Sequence, residues 1–279
     1  MTGTDQFLQA ARLISQADGL IIAAGAGMGV DSGLPDFRGN SGFWRHYPAL
    51  QKANISFHEM ASPSHFRHAP QLAWGFYGHR LALYRKTKPH AGFRILKDIA
   101  NRLEHNAFVF TSNVDGQFQQ AGFAEEQVHE CHGSIHYLQC LEPCHEQIWP
   151  ANGFNPEVNE DHCQLVNAPP VCPVCGLLAR PNILMFNDMS WLPGRSDGQY
   201  EKLQAWRQKT ANPVVIELGA GTAIATVRYF AERQRCPLIR INPREAYLHR
   251  TSQNVSLPYG ALEAIEGIRN ALVGLSFME

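Results

Sequence analysis

A handful of short apolar runs, each closed by a turn or polar residue, constrains this chain more than any other feature. They are GLIIAA at residues 19–24, NAFVFT at 106–111, PVVIELG at 213–219 and PLIRIN at 237–242, with a shorter NVSL at 254–257. A strand with one wet face alternates apolar and polar residues; near-continuous apolar runs belong to strands buried on both faces. Between them lie helical periods: Phe7, Ala11 and Ile14 within 5–17, much of 64–103 with a break near Pro89, and a last helix from about Tyr259. Buried strands separated by helices predict an α/β fold, a Rossmann-like doubly wound parallel sheet with helices on both faces. The 279 residues, 44% hydrophobic, suffice for one large domain with at most a small satellite. We therefore expect one catalytic domain over 1–279. Residues 134–182, rich in Cys, Pro and Asn and without helical period, read as a small module inserted in it.

Charge and hydropathy narrow the function. The formal net charge is −1, so no global field draws the chain to nucleic acid or to an anionic membrane. No apolar run approaches a membrane span. The start Met1-Thr2-Gly3-Thr4-Asp5 has neither the basic residues nor the apolar stretch of a secretory signal. A cytoplasmic protein is expected.

Most of the seven cysteines lie between Cys131 and Cys175. Clustering of this kind argues for metal before disulfides. Cys140 and Cys144 form one close pair, Cys172 and Cys175 another, and Pro and Gly beside the second favour a tight knuckle turn. Four thiolates in two pairs suit tetrahedral Zn²⁺, and four protein ligands close its shell. One structural zinc per chain is expected. Cys131 and Cys163 are nearby competitors, and Cys236 reads as a core residue.

The first strand runs directly into Gly25-Ala26-Gly27-Met28-Gly29. In a doubly wound sheet this is where phosphate-bearing ligands bind, because glycine lets backbone N–H groups approach the phosphates. The pattern alone equally fits a tight strand-to-loop turn, since Val30 stands where the usual dinucleotide fingerprint has its third glycine.

The continuation is more specific. Residues 25–39 read GAGMGVDSGLPDFRG and resemble the sirtuin signature GAGxSxxSGIPDFRG. Thr111-Ser112-Asn113-Val114-Asp115 resembles the family's TQNID, and His132-Gly133 follows at the family's spacing. Arg180 to Asp188, RPNILMFND, resembles RPxVVxFGE; Gly219-Ala220-Gly221-Thr222-Ala223 resembles the GTSL turn. The likeness covers nearly the whole chain.

It implies an NAD-dependent protein lysine deacetylase or deacylase, acting on an acyl-lysine protein or peptide. Nicotinamide is released and the acyl group passes to ADP-ribose. By the resemblance, Gly25, Ala26, Gly27, Asp36, Phe37 and Arg38 belong to the first half of the NAD site, with Phe37 beside the nicotinamide ribose. Ser112 stands near the ribose, Asn113 orders water or substrate, Asp115 holds the nicotinamide amide, and His132 is the general base. Histidine suits that role because its ordinary pKa is near neutral. Gly219, Gly221, Thr222, Asn242 and Ala261 belong to the second half of the NAD site; Met185 and Phe186 wall an acyl tunnel.

Four positions depart from the family pattern: Gly29 and Ala223 replace serines, Ser112 a glutamine, and Asn187 a glycine. Each lost polar contact typically costs about 0.5–1.5 kcal/mol, which weakens a site without abolishing it. Alternative outcomes are NAD hydrolysis, ADP-ribosyl transfer to protein, or a non-catalytic NAD or ADP-ribose sensor. The loop from Met189 to Pro193 is longer than the family's usual one.

Overall fold

The structure, a computed structural model, describes residues 3–36, 39–249 and 251–278. The first part of the chain forms α1 (Gly3–Ser15), β1 (Gly19–Ala24), a 3-10 turn (Ala26–Ser32), α2 (Gly39–His46), α3 (Pro48–Lys52), α4 (Phe57–Met60), α5 (Pro63–His68), α6 (Pro70–Lys86) and α7 (Ala91–Ala100). Then come β2 (Ala107–Thr111), α8 (Gln117–Gln120), β3 (Val128–Glu130), β4 (Gly133–Cys140), β5 (Trp149–Pro150), β6 (Val158–Asn159), β7 (Gln164–Leu165) and β8 (Ala179–Ile183). The chain closes with α9 (Gly194–Lys209), β9 (Pro213–Leu218), α10 (Thr226–Arg233), β10 (Leu238–Ile241), β11 (Asn254–Leu257) and α11 (Ala261–Gly274).

Six of these strands form one sheet in the order β11-β10-β9-β1-β2-β3, parallel throughout. Alternate side chains of β1 serve opposite faces, as strand geometry requires. Leu20, Ile22 and Ala24 join a core under α1, α7 and α11, while Ile21 and Ala23 join a second under α9 and α10. The chain leaves β1 in one direction through β2 and β3, and later returns to the other side of β1 with β9. The crevice beyond the carboxyl ends of β1 and β9 is thus the topological switch point, where such sheets bind ligands.

A second layer stands above that crevice. It contains the antiparallel sheet β5-β4-β8 and the β6–β7 hairpin. Helices α2–α6 and these strands share an aromatic core that includes Phe43, Phe66, Trp74, Tyr77 and Phe154. The indole of Trp74 donates to the Ala179 carbonyl at 3.0 Å. The cysteine-bearing strands are therefore packed on α6 rather than tethered beside it.

Three features differ from the sequence reading. The glycine-rich stretch after β1, where no helical period was expected, contains the 3-10 turn and the start of α2; Gly33, at φ +88°, closes the turn by donating to Gly29 and Val30. The edge strand β3 has three residues, too few for a readable period. Helix α9 has a mostly polar sequence and buries Ser196, Gln199 and Leu203, so its apolar stripe is too thin to announce it. In β9 and β10, Glu217 and Arg240 face each other across the ladder and pair at 2.7 and 2.8 Å, which is how two charges are tolerated in buried strands.

Candidate active site

The two glycine turns meet backbone to backbone. Gly27 N–H donates to the Gly219 carbonyl at 3.0 Å, and Gly219 N–H to Ile241 at 3.0 Å. A Cβ on Gly27 would lie 2.6 Å from the Gly219 Cα; one on Gly25 would lie 2.9 Å from the Gly219 oxygen. Gly219 itself sits at φ +59°. Only glycine allows this approach. Gly25, Ala26, Gly27, Gly219 and Gly221 line a cavity of about 580 Å³. Where the family pattern has a serine, Gly29 is buried, and a Cβ there would lie 3.2 Å from Leu34 Cδ1. Leu34 occupies the space that a larger side chain would need.

The end of β2 enters the same cavity with Ser112, Asn113 and Asp115. Thr111 Oγ1 donates to the Ala24 carbonyl and accepts from Asn113 N–H; Asn113 Nδ2 donates to Gly25 at 3.0 Å. These bonds fasten the end of β2 to the end of β1. Asp115 is 8% exposed and accepts from Gln117 N–H at 2.9 Å. Burial pushes its carboxyl up to about 6, against the Gln117 hydrogen bond and the nearby Arg80. His132 follows β3 and faces the cavity; burial lowers its imidazole, partly offset by the Ser112 backbone. A histidine held neutral in this way is ready to accept a proton. At the next position, Gly133 has φ +77°, and any Cβ would overlap the Asn182 carbonyl.

Helix α6 supplies a part of the site that the sequence reading missed. Tyr77, Arg80 and Tyr84, spaced i, i+3, i+7, line the cavity floor. Arg80 is 8% exposed, and its Nε and Nη2 donate to the Tyr84 hydroxyl at 3.0 and 2.8 Å. The readable signal was an arginine among aromatic residues on one helical stripe.

The segment leaving β8 forms the opposite wall, with Ile183, Leu184, Met185 and Phe186. Leu184 N–H donates to the His132 carbonyl and Phe186 N–H to Ala61, each at 2.9 Å. His58 of α4 stacks on Phe186 with centroids 4.0 Å apart. Asn187, where the family has glycine, adopts φ +54°, a conformation asparagine tolerates better than most residues. Arg180 and Asp188 form a fully buried bidentate pair at 2.6 and 2.9 Å. The following loop is anchored: Gln139 Nε2 donates to Ser190, and Asn182 Nδ2 to Leu192.

At the far end, Ala261 lines an adjoining cavity of about 130 Å³ with Asp31, Arg244 and Gly260; Gly27, Asp36 and Gly219 border both cavities. Two expected cofactor residues are placed otherwise. Asn242 is fully buried; its Nδ2 donates to Ala220 and its Oδ1 accepts from Arg244 and Glu245 N–H. It holds two loops together rather than lining either cavity. Thr222 lines neither cavity, and its hydroxyl donates to Glu245 at 2.6 Å. Phe37 and Arg38 lie outside the described residues.

The four expected cysteines converge. Their sulfurs all lie within 4.8 Å of one another, with Cys140–Cys175 and Cys144–Cys172 at 3.7 Å. Tetrahedral zinc with Zn–S near 2.3 Å sets the sulfurs about 3.8 Å apart, so these residues fit the metal. Cys163 is buried in the aromatic core instead. Burial pushes the Cys172 thiol up, but the N–H groups of Cys175 and Val174 and the His145 imidazole outweigh it and hold it at about 6.

A parallel sheet with a glycine-lined crevice at its switch point, a histidine and carboxylate facing it and a four-cysteine module beside it define a doubly wound α/β protein built to bind a phosphate-bearing ligand. The Sir2 family model matches residues 25–215, and the chain belongs to the Sir2, or sirtuin, family. It is similar to NAD-dependent protein deacylase 1 of Caldanaerobacter subterraneus subsp. tengcongensis, 28% identical over 253 residues, 90% of this chain and 92% of the relative. It is also similar to the NAD-dependent protein deacylase of Thermococcus kodakarensis, 33% identical over 180 residues, 64% and 63% of the two chains. Its fold matches a Sir2 homologue–NAD complex with a TM-score of 0.69 at 23% identity, over 95% of this chain and 94% of the other. A second match is Sir2Af2 bound to a myristoylated histone peptide, TM-score 0.62 at 20% identity over 98% of both chains.

Proposed function

We propose that the chain is an NAD-dependent protein lysine deacylase, with 1–279 as one catalytic unit and 134–182 as its metal-binding insertion. One observation carries this reading: Gly25–Gly27, Asn113, Asp115, His132 and the Met185–Phe186 wall border a single cavity. NAD, when bound, supplies the ribose carbon whose bond to nicotinamide breaks. The chain's own residues bind, orient and move a proton. Gly25, Ala26, Gly27 and Gly219 present backbone to the phosphates. Asn113 and Asp115 orient the reacting end, and the Phe186 wall keeps water from it. His132, neutral through burial, accepts a proton at its imidazole.

The substrate is an acyl-lysine protein or peptide, a reading supported by the deacylase relatives and by the apolar Met185–Phe186 wall. Among the described residues no helix is long and apolar enough to cross a membrane. A four-thiolate zinc site needs reduced cysteines, which supports a cytoplasmic location.

The test is incubation of the protein with NAD and a series of acyl-lysine peptides, with products followed by mass spectrometry. We expect O-acyl-ADP-ribose that disappears in His132→Ala. Nicotinamide release independent of peptide would overturn deacylation in favour of NAD hydrolysis or ADP-ribosyl transfer. Absence of NAD turnover under every condition would leave the sensor reading.

A further inference from the structure

His145 immediately follows Cys144 but is not one of the four converging cysteines. Its Nε2 lies 3.1 Å from Cys172 Sγ. Its other ring nitrogen settles which way that contact points. Nδ1 accepts the Gln147 backbone N–H at 3.0 Å, and a nitrogen that accepts an N–H carries no proton of its own. In the neutral ring the proton is therefore on Nε2, and Nε2 donates to the sulfur. The Trp149 ring, 6.0 Å away at 51°, flanks the imidazole.

We propose that His145 is a dedicated hydrogen-bond donor to the metal-binding sulfur of Cys172 and sets how long the module keeps its zinc. Four thiolates around one Zn²⁺ leave a net charge of −2. An N–H aimed at one sulfur withdraws part of that charge and occupies the lone pair by which a thiolate attacks oxidants and electrophiles. Partners of metal ligands are commonly worth tenfold or more in metal retention. The Gln147 N–H matters as much as the imidazole, because it fixes the tautomer that can donate. This proposal rests on the zinc reading of the four cysteines, which the metal content of the wild-type protein tests separately.

The experiment uses the full-length zinc-loaded protein and follows zinc release spectrophotometrically with 4-(2-pyridylazo)resorcinol, with and without hydrogen peroxide. The comparison is wild type, His145→Phe, which keeps a ring without a donor, and His145→Gln, which keeps a donor. We expect release from His145→Phe to be about tenfold faster, with His145→Gln intermediate. Equal release rates in all three would overturn the proposal. Cobalt substitution of the wild type gives a second readout that does not depend on how the variants fold. A tetrathiolate charge-transfer and d–d spectrum in the wild type supports a donor. A three-sulfur, one-nitrogen spectrum in the wild type would make His145 a ligand and overturn the proposal.

Discussion

Arg180 and Asp188, eight residues apart, close a bidentate ion pair with both side chains fully buried. Asp188 also accepts the N–H groups of Met185 and Ser190 at 3.2 and 3.1 Å. One carboxylate thus fixes both the wall of the cavity and the loop beyond it. Removing one partner leaves a buried, uncompensated charge, which typically costs about 3–5 kcal/mol. Arg180→Met should destabilise by about that amount in urea denaturation, and Arg180→Met combined with Asp188→Leu by clearly less. A double variant as unstable as the single one would show that the pair does more than neutralise itself.

The Asp115 carboxyl, raised by burial from its ordinary 3.8 to about 6, makes stability depend on pH. The folded state holds this proton more tightly than the unfolded chain. Between pH 4 and 6 the native state therefore binds more protons, and stability falls as pH rises. The full effect is about 3 kcal/mol, absent below pH 4 and complete above pH 6. Asp115→Asn should be more stable than wild type at pH 7.5, equal to it near pH 4, and inactive. Melting temperatures at the two pH values check this; a variant less stable at pH 7.5 would contradict it.

Gly219→Ala should weaken NAD binding by tenfold or more in calorimetry. The added Cβ would collide with the Gly27–Met28 backbone, and alanine resists φ +59°. Gly198→Ala is the control, because this residue of α9 lines neither cavity and nothing lies within 4 Å of its Cβ. Equal affinities in the two variants would show that the two turns separate on binding.

Much of this architecture was legible in the sequence because the local signal was strong. Residues 19–24 and 213–218 could be read as strands because apolar runs bounded by turn residues have few other uses, and 254–257 because its apolar residues, Val255 and Leu257, alternate with polar ones. The cysteine cluster was readable for the same reason: thiols in two close pairs point to metal. Arg80 and Tyr84 were not, because an arginine on an aromatic helix has several possible environments and only the tertiary packing of α6 turns it toward the cavity. Asn242 followed from a resemblance at the end of a strand. In the structure its oxygen accepts from Arg244 and Glu245 N–H, a local turn that asparagine favours, while its Nδ2 reaches the Ala220 carbonyl, a contact that only the tertiary fold supplies.

Zinc removal should act at a distance, since Trp74 of α6 donates to Ala179, between the second cysteine pair and Arg180. Chelation, or Cys144→Ser, should lower the melting temperature and weaken acyl-peptide binding while NAD binding holds. The glycine turns belong to the other layer. Parallel titrations of peptide and NAD on the stripped protein check this, and equal loss of both would mean that the layers melt as one.

The position of β1 governs when this enzyme can come into being. Gly19 is paired with Pro213 and Ala24 with Leu218, so one edge of the central strand stays open until most of the chain has been synthesised. The same late segment brings Gly219 against Gly27. No partial translation product can assemble the cofactor crevice. Contacts of such long sequence separation fold slowly and leave an unpaired apolar edge exposed on the ribosome. A chain truncated before β9 is expected to depend on chaperones and to be inert toward NAD.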